Sequence, residues 1–181
     1  MKILVLSDSH SSLSFMRQCI DALKPDRMIH LGDYYDDAEA IAEDYPHIPM
    51  VQVPGNCDRY RCPPFVKEIE IRKFDGVNMY LTHGHRHMVK QRLDMLLMDA
   101  RKSKAAAVLY GHTHIADCHQ EEDGLWVLNP GSCGPRRFHQ AITMATAEIT
   151  ENGITIKRIE IPQKHAGALS KSGTADLKKQ I

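Results

Sequence analysis

The sequence has no paired-cysteine pattern, no long apolar run and no excess of charge, and each absence narrows what the chain can be. Its five cysteines (Cys19, Cys57, Cys62, Cys118 and Cys133) are odd in number and contain no CxxC pair. That excludes a disulfide framework and a cysteine-based zinc site, and it fits a reducing compartment. Lys+Arg and Asp+Glu are 23 each, so the formal net charge is zero. A protein that works by coating a polyanion would be basic. The N-terminal MKILVLSDSH carries one lysine and an apolar run too short for a signal-peptide core, and no later stretch would span a bilayer. The cytoplasm is the expected location. There is no internal repeat and no linker that would divide the chain.

What remains is an ordinary globular composition with an unusual histidine content. The 181 residues, 43% hydrophobic and 25% charged, suffice for one domain with a sizeable core. We expect that domain over 1–162, with 163–181 a flexible tail that has little to bury. Of 11 histidines, His10, His83, His85, His112 and His114 directly follow expected strands.

Residues 2–7 are a continuous apolar run, the pattern of a strand buried on both faces. Ser11 or Ser12 caps an expected helix to Leu23, which Pro25 stops. Strands follow at 27–31 and 50–53, with a helix over 37–45 between them that places Ala38, Ile41 and Ala42 on one face. Strand, polar loop and helix in alternation predict a parallel sheet. The alternating stretch 65–74 and the run 77–82 form a hairpin across FDGV. An amphipathic helix is expected over 88–102, then a buried strand at 105–110 ending in GHTH. The four segments from Ala116 to Ile161 read as a run of antiparallel strands.

Five polar clusters fall at strand ends: Asp8-Ser9-His10, Gly32-Asp33, Gly55-Asn56-Cys57-Asp58, Thr82-His83-Gly84-His85 and Gly111-His112-Thr113-His114. Singly, each has a plain alternative as a helix cap, a turn or a core histidine. Together at one sheet edge they place more carboxylates and imidazoles than a protein buries without cations. Mixed nitrogen and oxygen donors suit Mn²⁺, Fe²⁺ or Zn²⁺, and the set is too large for one ion. Two ions sharing a carboxylate, about 3.5–4 Å apart, are built for in-line displacement at phosphorus.

The order DSH, GDYYD, GNCD, THGH and GHTH resembles the calcineurin-like metallophosphoesterase superfamily, over Asp8 to His114, with NPGS at 129–132 matching a later strand end. The small size, without a cap domain, is similar to the compact YfcE-like phosphodiesterases. The resemblance implies an α/β fold, a four-layer αββα sandwich of two mixed β-sheets flanked by helices. It implies that Asp8, His10 and His114 hold one metal, that Asp33 bridges, and that Asn56, His83 and His112 hold the other. A hydroxide between the ions would attack phosphorus. Mn²⁺ is the first expectation, with Fe²⁺, Zn²⁺, Ni²⁺ or Co²⁺ as substitutes. Asn56, Asp58 and His85 are the catalytic candidates beside the metals, Asp58 by orienting a neighbour. Asp36 matches the last Asp of GDxxD. Cys57, Arg59 and Arg136, with Arg137, are candidates for contact with substrate.

Cys57 stands where the family has a histidine that protonates the leaving group. A thiol is a poor general acid for an alkoxide, which favours diesters or esters with good leaving groups, or passes the acid role to His85. The expected activity is therefore metal-dependent phosphodiester hydrolysis on a small substrate, with no membrane, with nucleic acid disfavoured, and with a homo-oligomer open. The alternative is a non-catalytic interaction scaffold of the same fold, as in the retromer subunit the sequence also resembles. A complete ligand set argues against it.

Overall fold

The computed structural model describes residues 1–134 and 141–161. Arg136, Arg137 and the expected tail from 163 onward lie outside the described residues. Two five-stranded sheets stack face to face, and the chain order of their strands decides where the site forms. The first sheet contains β1 (Lys2–Leu6), β2 (Arg27–His30), β3 (Met50–Gln52), and the long pair β9 (Ile142–Thr150) and β10 (Gly153–Ile161). Its order is β10-β9-β1-β2-β3. The second contains β4 (Ile69–Phe74), β5 (Val77–Thr82), β6 (Ala107–Leu109), β7 (Asp117–Gln120) and β8 (Trp126–Asn129), in the order β4-β5-β6-β8-β7. β1, β2 and β3 run parallel, as do β5, β6 and β8.

Side-chain alternation divides the core into three sheets of packing. Ile3 and Val5 meet Met79, Leu81 and Leu109 between the two β-sheets. Leu4 and Leu6 point the other way, onto α1 (Leu13–Leu23) and α2 (Tyr35–Asp44), through Met16, Ile20 and Ile41. Tyr80, Val108 and Val127 lie under α3 (Asp94–Lys102), against Leu96 and Ala100. The result is the αββα sandwich, and β1 is buried on both faces because a layer covers each.

Three local expectations are corrected. β4 begins at Ile69 rather than 65, because Pro63 and Pro64 break the segment and Phe65 is exposed. α3 begins at Asp94 rather than 88. Ahead of it the chain makes a 3₁₀ turn at His85–His87, and Met88 takes a left-handed backbone (φ 56°) that no helix contains. The last four strands are not one antiparallel run. β8 pairs antiparallel with β7 but parallel with β6, and β9 leaves for the first sheet to pair with β1. Ser12 occupies the N-cap of α1 without a side-chain cap bond.

Candidate metal centre

β1, β2, β3, β5 and β6 end at the same edge of the sandwich, and each of these ends carries one of the polar clusters. Asp8 and His10 follow β1, Asp33 follows β2, and Asn56 follows β3. His83 follows β5, and His112 and His114 follow β6. The loops interlock through backbone bonds, Asp8 N to the Gly32 carbonyl at 3.0 Å and Gly111 N to the His83 carbonyl at 3.1 Å. Gly55 is required here. A Cβ on it would collide with the carboxylate and backbone of Asp33.

Asp8, His10, Asp33 and His114 each offer one ligand atom, and these atoms lie within 4.8 Å of one another. His114 Nε2 is 3.0 Å from Asp8 Oδ1 and 3.4 Å from His10 Nε2. A second group adjoins through Asp33. His83 Nε2 lies 3.5 Å from Asp33 Oδ1 and 3.2 Å from Asn56 Oδ1. The His112 ring sits 5.1 Å from that of His83, and the His85 ring 5.5 Å from it. All seven sequence-predicted ligands therefore converge, with Asp33 common to both groups.

The donor set fits cations on physical grounds. His83 Nδ1 donates to the Leu31 carbonyl at 2.7 Å, so Nε2 is the nitrogen turned to the oxygens of Asp33 and Asn56, the orientation a metal-ligating imidazole needs. Asp8 Oδ1 is fully shielded and faces only the His114 imidazole, 3.0 Å away, while Oδ2 accepts from Ser7 Oγ at 2.6 Å and His112 N at 3.2 Å. Five of the seven positions also hold a strained backbone. Asp8, His10, Asp33, His112 and His114 all have positive φ, between 43° and 70°. Each costs about 1–2 kcal/mol, and such strain persists where the surroundings over-determine it.

Electrostatics keep the donors in ligand form. Burial, then the charges of His83 and Lys90, pushes the His112 imidazole down to about 4. Burial and His83 also lower His85. Burial alone would raise the Asp8 carboxyl, but His114, His83 and Ser7 outweigh it and hold it below the usual range. Cys57 is exposed, and its thiol is pushed up to about 11 by desolvation and by the Asp33 carboxylate, which also accepts its N–H at 2.9 Å.

The remaining candidates divide. Asp58 is fully buried and spends both oxygens on backbone, accepting from Gly55 N at 2.7 Å and Tyr35 N at 2.9 Å. Asp36 is exposed and pairs with Arg61 at 2.6 Å. Its neighbour Asp37 is buried instead and accepts from Ser9 Oγ and Ser11 N, both at 2.7 Å, bracing the loop that carries His10. Asp37 stands four residues before Ile41 on the apolar face of α2, a spacing that marks it for burial but does not identify its partners. Two further contributors lacked a comparable signal. The Tyr34 ring packs on His10 at 4.9 Å, and Asn129 donates to the Gly111 carbonyl and to Thr113 Oγ1, fixing the GHTH turn. His85 and Arg59 line a cleft of about 500 Å³ that opens beside Asn56.

Comparison with known proteins meets this geometry. The chain is 28% identical over 166 residues to a probable metallophosphoesterase of Mycoplasma pneumoniae, covering 90% of this chain and 98% of that one. It is 28% identical over 147 residues to a phosphodiesterase of Methanocaldococcus jannaschii, covering 74% and 84%. A crystal structure of a predicted phosphoesterase from Streptococcus pneumoniae superposes with a TM-score of 0.70 at 26% identity, covering 88% of each chain. Residues 1–152 match the model of the calcineurin-like phosphoesterase superfamily domain, and the chain belongs to that family.

Proposed function

We propose that the chain is a phosphodiesterase that works with two divalent ions, Asp8, His10 and His114 holding one, Asn56, His83 and His112 the other, and Asp33 both. The observation that carries this reading is His83 Nε2 facing the oxygens of Asp33 and Asn56, beside the cluster in which ligand atoms of Asp8, His10, Asp33 and His114 lie within 4.8 Å of one another. When bound, the two ions would supply a Lewis-acidic seat for the phosphate and a water made nucleophilic near neutral pH. Mn²⁺ is the first choice, with Fe²⁺, Zn²⁺, Ni²⁺ and Co²⁺ suited to the same donors.

The chain's own residues supply orientation and proton handling. The Leu31 carbonyl fixes the His83 tautomer, and Ser7 fixes Asp8. Asp58 acts by holding the Asn56 loop against α2. Cys57 stays a protonated thiol and a weak acid, so the reaction favours esters whose leaving group needs little help. His85, which packs on the ring cluster and lines the cleft, serves as a contact to the substrate. A small cleft and zero net charge favour a small diester over a nucleic acid. A complete and strained ligand set favours chemistry over the scaffold alternative, because an interaction surface gains nothing from it. The five free thiols suit a reducing cytoplasm. No helix among the described residues is long and apolar enough to cross a membrane.

The test is hydrolysis of a bis-aryl phosphate by metal-stripped protein, with Mn²⁺ added back, beside Asp33→Asn and His83→Ala. Activity should require metal and fall at least about a hundredfold in both variants. A folded protein that is inactive with every divalent ion would leave the scaffold reading in its place.

A further inference from the structure

The cleft beside the metal centre carries more information than its position. Asn56 and His85 both line it, so a substituent of a phosphate seated among the candidate ligands is within reach of it. Its volume of about 500 Å³ lies within the range of small-molecule sites, about 300–1,000 Å³. Pro54, Pro63, Pro64 and Val66 give it a stiff apolar lining, suited to an uncharged middle segment.

The charges of the cleft are arranged unequally. Asp58 is turned away, both oxygens being held by backbone amides. Glu68 is spent on Arg86, taking Nη2 at 2.7 Å and Nε at its other oxygen. That bidentate grip orients Arg86 and leaves its remaining N–H groups for another acceptor. Arg59 faces no carboxylate among the described residues and rests over the Tyr60 ring, 5.5 Å from its centroid. The lining thus offers one pre-oriented and one uncommitted guanidinium beyond an apolar stretch.

We propose that this cleft receives the non-reacting arm of the diester, and that the arm carries a second anionic group, a phosphate or a carboxylate, held by Arg59 and Arg86. The inference rests on the diesterase reading and adds to it a substrate class, a small diester with a remote negative charge. Arg59 then serves the far end of the substrate rather than the phosphate that reacts.

Two measurements separate this proposal from the reading beneath it. The first compares kcat/KM for two aryl phosphodiesters that share a leaving group, one with a butyl arm and one with a 3-carboxypropyl arm. The Mn²⁺-loaded wild type should favour the carboxylate arm about tenfold, through KM, and Arg59→Met should bring the ratio close to one. Glu68→Gln, which loosens Arg86, should lower the ratio part of the way. The second is calorimetric binding of butylphosphonate and 3-carboxypropylphosphonate to the same proteins, with the same expected ratio and the same loss. Binding needs no turnover, so a protein that hydrolyses neither diester but keeps the affinity ratio fails only as a diesterase. A ratio near one in the wild type, or a preference that survives Arg59→Met, overturns the proposal. So does a folded protein that binds neither phosphonate.

Discussion

Single atoms decide this site, and they decide it against stability. Buried imidazoles are kept neutral at a cost that depends on pH. His30 is fully buried, neither ring nitrogen has a partner, and burial lowers its pKa. His85 and His112 are lowered too, the latter to about 4. In the unfolded chain all three take up protons near pH 6.5, and in the folded chain only at lower pH. Unfolding therefore binds protons as pH falls through this window, and the metal-free protein loses stability from about pH 6.5 down toward pH 4. Thermal unfolding in chelator at pH 7.5 and pH 5 should show the drop. His30→Leu removes an unpartnered buried group of similar size, so the slope should flatten and stability at pH 5 should rise by about 1 kcal/mol. A second prediction concerns Gly55. Gly55→Ala drives a methyl into the Asp33 carboxylate, and Mn²⁺ affinity measured by calorimetry should fall at least about tenfold. The seven candidate ligands could be named from the sequence because motif order fixes residue type at strand ends, and the structure brings those residues together. Asp37, Tyr34 and Asn129 could not be, because their roles depend on which loops come to lie side by side.

At the scale of elements, loops are held by single side chains that accept from several amides. Asp58 joins the Asn56 loop to the start of α2 through two backbone bonds. Asp58→Ala strands two buried N–H groups and should cost about 2–4 kcal/mol, read as a lower urea midpoint at unchanged slope. Asn129 joins the end of β8 to the GHTH turn through two bonds, donating to Gly111 and Thr113, and accepts from Gly131 N in its own loop at 2.9 Å. Asn129→Leu should cost a similar amount and weaken metal binding, because His112 and His114 ride on that turn. Strand existence was readable from apolar runs and turn residues. β1 is the clear case, since a run without alternation has only one place in a layered fold. Strand partnership was not readable. Nothing in LWVLN says that β8 inserts beside β6, or that ITMATAEIT crosses to β1, because both choices are settled by packing between distant segments. The start of α3 was misplaced because the apolar spacing around Val89 continues through a backbone that is not helical at Met88.

For the whole molecule, the division of ligands between sheets matters most. The first sheet brings Asp8, His10, Asp33 and Asn56, and the second brings His83, His112 and His114. Ions held by both would tie the layers together, and the coupling follows mass action. Free Mn²⁺ at 100 times its dissociation constant should add about 2.7 kcal/mol per site to unfolding. Hydrogen exchange should register the same coupling, with chelator raising exchange at the C-terminal ends of β1, β2 and β5 more than in β10, which precedes none of the candidate ligands. Uniform change across both regions would count against a shared ionic tie.

The pairing of β1 with β9 has a further consequence, for the birth of the protein. Lys2 lies opposite Glu148, so β1 meets its antiparallel partner only after the strands of the second sheet have been made. At about 5–20 residues per second, synthesis leaves β1 waiting on the order of 10–30 s for that partner. During that interval the Asp8 loop has no finished sheet to bend it into its strained shape. On the two-ion reading, metal capture would follow the synthesis of β9, and a nascent chain stalled before residue 142 should retain no ion.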